Sequence, residues 1–502
     1  MTTPLMTGVL LVVTALAVGR TCRTALALRW LRGRLRARPA PAPPPGEPFV
    51  ILLPAFREQS LVKETVEYFQ SLDHPVEEYR VVVVTSARER DERERLRGTL
   101  DAFAEKAFDL PEGRSREELL TGHLPGALIP GLLARRTRMD RAAFVAHVRE
   151  LFDLQETTGR MVDQLVSTHL APDLVRQLEA PADRAGKAGQ LAYALEELDS
   201  ALADWPRITD CRYVVVYDFD ARPAKDVLRV AASAVGDEAL LLQQSAFVLP
   251  RTGREVPLSA GLFTLMDSQL HARFGLRTEL ASLLLDRRFQ SLPPRLAVLV
   301  RSSIHAVGNG LFLNRHRLPE LGGIPTSVDD LSLGWRAAAV GASFHPVGSP
   351  VWYDGYPTLA QAAASRRFIC HGYQSAAREI RRTPGFSKGV LPVQLVKIHS
   401  RTVQWTVGPF VRVGILLAGA VTVPFVALAA ACLTYGLYVV DTLLVRRLWS
   451  WSGRLPEESR WVVASAVLLG PVALFWYGTG ARAGLLSSWL GRPAWAVGKT
   501  ER

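Results

Sequence analysis

Two hydrophobic patterns divide the chain. Residues 49 to about 360 alternate short β-branched runs with amphipathic stretches, whereas both ends carry long blocks almost free of charge. In the middle region "FVILLPAF" and "YRVVVVT" read as strands, bounded by Pro and by Ser/Ala. Between them "SLVKETVEYFQSL" repeats its apolar residues at helical spacing. A strand, helix and strand this closely spaced predict a parallel βαβ unit, and "RYVVVYDFD", "ALLLQQSAFVL" and "GNGLFLN" extend the sheet. Residues 86–206 change to charged, helix-prone segments such as "RERDERERLRGTLDAFAEKAF". They predict a helical insertion packed on the domain, with a cap over the active site as the sharper alternative.

The ends predict membrane segments. "PLMTGVLLVVTALAVG", from Pro4 to Gly19, is uncharged and is followed by Arg20, Arg23, Arg29, Arg32, Arg34, Arg36 and Arg38. A cleaved signal peptide carries its charges before the apolar core, so this order points to an uncleaved anchor with cytoplasmic sequence after it. A buried amphipathic helix is the bland alternative. The following "RPAPAPPPGEP" reads as a semi-rigid spacer.

From Val407 to Val445 only Arg412 and Asp441 are charged, a block long for one span and tight for two. "WVVASAVLLGPVALFWYGTG", from Trp461, is another span-length segment. Arg446, Arg447, Arg454 and Arg460 favour a cytoplasmic loop, and so does the basic C-terminus. Three simple crossings cannot meet both preferences, so one segment is expected to be re-entrant or interfacial. The expected layout is an anchor (1–30), a linker (31–48), an α/β domain (49–385), an interfacial segment (386–406) and a C-terminal transmembrane region (407–502).

Composition agrees with a multi-pass integral membrane protein. The 502 residues are 48% hydrophobic, yet Lys and Arg number 60 against 48 Asp and Glu. An anionic membrane surface explains basic runs beside apolar blocks, and no interleaved aromatic and basic motif argues for nucleic acid. Cys22, Cys211, Cys370 and Cys432 show no CxxC spacing, which points to neither zinc nor disulfides and suits a reducing compartment.

Candidate chemistry centres on "VVVYDFDARP", where Asp218 and Asp220 end an apolar strand. Alternation along a strand points both carboxylates the same way, a few ångströms apart. Like charges that close call for a cation or a shared proton between them, unless the stretch is merely a solvated turn. A divalent-metal site, a nucleophile with its acid partner, and an acidic turn all stay open on these residues. Lys187 opens an amphipathic helix in "DRAGKAGQLAYAL", placed to face a phosphate near the helix N-terminus. Gly308 and Gly310 flank Asn309 and permit close backbone approach to a ligand. Asp329 and Asp330 begin the helix "LSLGWRAAAVG", where acids also serve as caps.

The ordered set "LLPAFREQSLVKETV", "GKAGQLAYALE", "VVVYDFDARP", "GNGLFLNRHRLPELGGIPTSVDDLSLGWRAAAVG" and "YPTLAQAAASRRF", followed by apolar segments, resembles the membrane-bound family 2 glycosyltransferases, the class of cellulose and hyaluronan synthases. The resemblance covers roughly residues 49 to 375. It implies an α/β GT-A catalytic domain with a helical insertion, between transmembrane helices at both ends, on the cytoplasmic face of the cell membrane. It further implies inverting, metal-dependent transfer from a nucleotide-sugar donor to a membrane-near glycan or lipid acceptor.

By that resemblance Asp218 and Asp220 match the DxD pair that holds Mg²⁺ or Mn²⁺ with the donor diphosphate. Asp330 matches the general base and Asp329 the acid before it. Glu58 matches the position near the nucleoside and Lys187 the one near the diphosphate. Asn309 and Arg367 fall on the acceptor or diphosphate side.

The sequence also departs from the family. "VVVVTSARER" stands where an acidic turn reads the base, with Glu89 and Asp91 the nearest substitutes. Arg367 and Phe368 imitate the Arg-Trp of the QxxRW motif, but its Gln position holds Ala364. These departures favour addition of one or a few sugars over a long polymer. They also motivate an alternative, an inactive membrane scaffold with the same fold. A DxD phosphatase, with Asp218 as nucleophile, is the remaining enzyme class, although Ala221, Arg222 and Pro223 replace the residues it wants.

Overall fold

The computed structural model describes residues 3–36, 46–110, 120, 124, 128–168, 173–184, 186–234, 239–250, 258–289, 292, 306–325, 329–356, 359–386, 389–453 and 460–489. Eight strands form one mixed sheet: β1 (Phe49–Pro54), β2 (Tyr79–Ser86), β3 (Val175–Ala180), β4 (Tyr213–Val216), β5 (Arg222–Pro223), β6 (Leu241–Leu249), β7 (Leu311–Asn314) and β8 (Phe344–Asp354). Their spatial order is β3-β2-β1-β4-β7-β6-β8-β5. The first four run parallel, β7 is antiparallel to β4 and β6, β8 is parallel to β6, and β5 is antiparallel to β8.

The unbroken apolar run of β1 is what a strand covered on both faces requires. Phe49, Ile51 and Leu53 face a core shared with Val62, Val66 and Phe69 of the helix Val62–Gln70. Val50 and Leu52 face the opposite core, shared with Leu191, Ala194 and Leu198 of the helix Gly186–Ala201. The predicted βαβ unit is therefore present, with one helix layer on each side of the sheet.

Residues 86–206 are not helical throughout. The helices Ala87–Asp109, Ile129–Arg136, Arg141–Asp153 and Thr158–Thr168 precede β3, which pairs with β2 at the sheet edge. "VRQLEA" has partly buried or exposed residues between its ends, as an edge strand should, and so lacks the apolar run that marks a central one. Leu100, Phe144, Val148 and Phe152 give the first helices a small core of their own.

Among the described residues, two helices are long and apolar enough to cross a membrane, Thr3–Arg36 and Pro424–Trp451. There are three if Leu391–Thr406 and Gly408–Thr422, bent by 66° across their break, make one span. The block from Val407 to Val445 is thus two helices parted at Val423, where Pro424 has no N–H to continue the ladder. Met6 and Leu10 cluster with Val423, Ala427 and Ala430. Leu28 and Leu31 cluster with Val445, Leu448 and Trp449, and also with Phe247 and Trp352 of the sheet. The two ends of the sequence therefore meet and seat the α/β domain against them. The segment from Trp461 lies within the helix Arg460–Trp489, which packs on the helix Leu359–Tyr373.

Candidate active site

The chain leaves β1 toward β2 and β3, then returns to β4 on the other side of β1, which makes a topological switch point. Crevices at the carboxyl ends of such strands are where α/β sheets bind ligands. β4 ends at Val216, so Asp218 and Asp220 lie in the turn beyond it and not in the strand itself. The expected alternation survives in one respect: Phe219, between the two acids, is buried in the core.

Antiparallel pairing of β7 with β4 places the entry to β7 beside this turn, with Leu311 opposite Val216 and the Gly310 N–H donating to the Val216 carbonyl at 2.9 Å. There the peptide unit of Gly308 is held from both sides. Its carbonyl accepts from Lys187 Nζ at 2.7 Å and its N–H donates to Asp330 Oδ2 at 2.7 Å. Lys187 Nζ also meets Asp218 Oδ1 at 2.6 Å, while Asp330 Oδ1 accepts from the Leu331 N–H at 2.7 Å. Asp218, Lys187, Gly308 and Asp330 thus form a continuous polar chain across four segments of the sequence.

A Cβ on residue 308 would stand 2.7 Å from Lys187 Nζ and 3.1 Å from Asp330 Oδ2. At Gly310 the backbone has φ +72, and a Cβ would lie 2.6 Å from Gln244 Oε1. Both glycines were expected to admit a ligand. The close approach they permit is instead to the protein's own Lys187, Asp330 and Gln244.

The other expected residues occupy the same edge or its surroundings. Glu58 follows β1, half-buried, with its N–H donating to Thr158 Oγ1 at 3.0 Å. Asn309 is buried, and its side-chain amide has no hydrogen-bond partner among the described residues. Asp329 is the first residue of the helix Asp329–Val340, and its side chain lies outside the described set. Arg367 is on the helix Leu359–Tyr373, where burial and then the Arg367 charge hold the His371 imidazole below its usual range.

Glu89, a nearest substitute for the missing acidic turn, has another task. Buried, it accepts from Gln59 Nε2 at 2.8 Å, from the Thr158 N–H at 2.9 Å and from the Arg57 N–H at 3.3 Å. Arg57 has φ +57, a conformation few non-glycine residues adopt. Glu89 therefore ties this constrained loop to the helix Thr158–Thr168, while Asp91 is exposed to solvent. Gln190, where the lysine-bearing run is non-standard, likewise braces the site by donating to the carbonyls of Ala55 and Val84 at 2.9 and 3.0 Å.

The helix bearing Asp330 is anchored by a buried ion pair. Arg336 meets Glu379 at 2.7 Å and also donates to the Leu321, Gly322 and Gly323 carbonyls. Trp335 packs on Tyr373 with ring centroids 5.5 Å apart, which joins that helix to the one carrying Arg367.

Sequence reasoning missed Glu279. It lies in the π-helical segment Gly275–Leu280, a distortion often found at functional sites, and no motif in "GLRTEL" marks it. Burial pushes its carboxyl up to about 8, against the Arg401 charge and with the help of Asp330. A raised folded-state pKa means stability that is complete below the ordinary carboxylate range and is lost as pH rises toward about 8. Glu279→Gln is therefore expected to shrink the fall in melting temperature between pH 5 and pH 8, measured on the detergent-solubilised full chain. An unchanged fall would remove Glu279 as its source.

Among the described residues no cluster of three His, Cys, Asp or Glu side chains is arranged to hold a metal ion. Two aspartates with hard oxygen donors nevertheless suit Mg²⁺ or Mn²⁺, which commonly bind one or two carboxylates and complete their shell with substrate phosphates. Asp218 and Asp220 fit that partial donor set.

No family model and no curated protein sequence matches the chain. Among solved structures it is similar to the mannosyltransferase PcManGT from Pyrobaculum calidifontis in complex with GDP-Man and Mn²⁺, at 16% identity and TM-score 0.40, over 94% of this chain and 98% of that one. It is also similar to residues 1–349 of S. aureus TarS in complex with UDP-GlcNAc, at 13% identity and TM-score 0.34, over 89% of this chain and 92% of that one.

Proposed function

We propose that the chain is an inverting, metal-dependent glycosyltransferase of the GT-A type, transferring a sugar from a nucleotide-sugar donor to a membrane-near acceptor, glycan or lipid, at the cytoplasmic face. The observation that carries this reading is the polar chain from Asp218 through Lys187 and Gly308 to Asp330. It joins one carboxylate of the Asp218/Asp220 pair, a cation suited to a diphosphate and a separate carboxylate beside one topological switch point.

The roles follow from charge and position. Asp218 and Asp220 would hold Mg²⁺ or Mn²⁺, which would supply charge neutralisation for the departing nucleoside diphosphate. Lys187, at the N-terminus of its helix, adds a positive charge where backbone N–H groups also point. Asp330 takes the proton of the acceptor hydroxyl as that oxygen bonds to the anomeric carbon. The bond to the diphosphate breaks on the opposite face, so the configuration inverts. Glu58, Asn309, Asp329 and Arg367 are assigned to the surrounding donor and acceptor contacts.

A thermal-shift screen tests the donor half of this reading. With Mn²⁺ present, one class among UDP-, GDP- and dTDP-sugars should raise the melting temperature of the purified full chain, because a ligand that binds the folded state stabilises it. No shift with any donor would favour the inactive scaffold.

A further inference from the structure

A cavity of about 640 Å³ lies between the helix Thr3–Arg36, the segment 270–282 and the C-terminal helices. Its wall carries eight basic side chains. Arg20 and Arg23 come from the N-terminal helix, and Arg273 and Arg277 from the residues around the π-helical turn. Arg401 and Arg412 come from the bent helix pair, and Arg366 and Lys397 complete the set. Asp441 is the one carboxylate on this wall among the described residues.

On the wall itself cations outnumber carboxylates. Asp441 acts on Arg20, Arg273 and Arg277, Asp267 pairs with Arg366 at 3.3 Å, and Glu279 lies near Arg401. Protein contacts orient several of the guanidinium groups. Arg23 donates to the Arg277 carbonyl at 2.9 Å and to Ser282 Oγ at 2.7 Å. Arg273 lies over the Tyr438 ring, 4.1 Å from its centroid, and donates to that hydroxyl. Several guanidinium groups drawn out of bulk water are costly without a counter-charge. The lining also includes apolar side chains, among them Val413, Leu416, Leu437 and Phe475. Arginines and apolar side chains lining one cavity, within helices suited to a membrane, match an amphiphile with a multiply charged anionic head.

We propose that this cavity binds the phosphate headgroup of an anionic membrane lipid, with the guanidinium groups on the phosphate and the acyl chains along the apolar side chains. Binding there does not require sugar transfer. A lipid fits better than a soluble phosphate because apolar side chains line the same cavity.

The test uses the full chain in detergent without nucleotide or metal. Its affinity is measured for short-chain phosphatidic acid, for diacylglycerol with the same chains and for inorganic phosphate. Phosphatidic acid is expected to bind at least roughly tenfold more tightly than either, since it alone offers both charge-assisted hydrogen bonds and apolar contact. Arg277→Gln and Arg412→Gln should each remove most of that preference, and Arg412→Lys should retain part of it. If one Gln variant fails to fold, the other carries the comparison.

Equal affinity for diacylglycerol, or a preference untouched in a folded Gln variant, would overturn the proposal. Inorganic phosphate binding as tightly as phosphatidic acid would also overturn it, in favour of a soluble anion. All these outcomes are independent of donor turnover.

Discussion

Asp330→Asn is expected to lower sugar transfer about 10²- to 10⁴-fold, the usual contribution of a positioned general base, while donor binding persists. The substitution removes proton affinity and changes little else in shape. In the native site Asp330 Oδ2 accepts from the Gly308 N–H and Oδ1 from the Leu331 N–H. A single amide oxygen can keep only one of these bonds. Some loss of stability is therefore expected beside the catalytic loss, and a melting curve measures it separately. If Asp330 were only a helix cap, the variant would melt earlier but turn over normally once folded. Comparing initial rates and donor affinity on the same folded preparation distinguishes the two roles.

Asp220→Ala is expected to weaken donor binding in the presence of Mn²⁺ by at least on the order of tenfold, with little change when the metal is chelated. Asp218 has Lys187 Nζ at 2.6 Å, so its removal would also strand a partly buried cation and confuse metal loss with damage to the site. Asp220 gives the cleaner variant. Isothermal titration of the nucleoside diphosphate, with and without Mn²⁺, reads the difference directly. Equal affinity of wild type and variant in both conditions would take the metal role away from this pair.

Much of the architecture is legible in the chain because burial leaves a simple mark there. "FVILLP" and the "VVVV" of β2 are continuous apolar runs and become adjacent parallel strands covered on both faces. β3 and β5 escape such reading for opposite reasons. β3 is an edge strand with the polar centre "RQLE", and β5 is two residues whose pairing with β8 depends on the whole sheet curving round.

The polar chain at the site was partly legible. Asp218, Lys187 and Asp330 were each marked by a strand end or helix start, and the structure joins all three through Gly308. What the residues alone did not show is that the Gly308 peptide is the connector, since glycine spacing reports close approach without naming the partner. Arg366 shows a similar limit. One residue from Arg367 on the same helix, it reaches Asp267 and the cationic cavity, a choice made by helix rotation and packing that no local motif encodes. The arginines of that cavity come from segments more than 390 residues apart, so only the meeting of the two chain ends brings them together.

The central claim is that one crevice combines donor activation by Asp218 and Asp220 with base catalysis by Asp330. Its most direct test is nucleoside diphosphate release from a panel of UDP-, GDP- and dTDP-sugars by the purified full chain in lipid nanodiscs. The account predicts release from one donor class, dependent on Mn²⁺ or Mg²⁺ and abolished by Asp220→Ala. Absence of release and of donor binding across the panel, from well-folded protein with metal present, would contradict it.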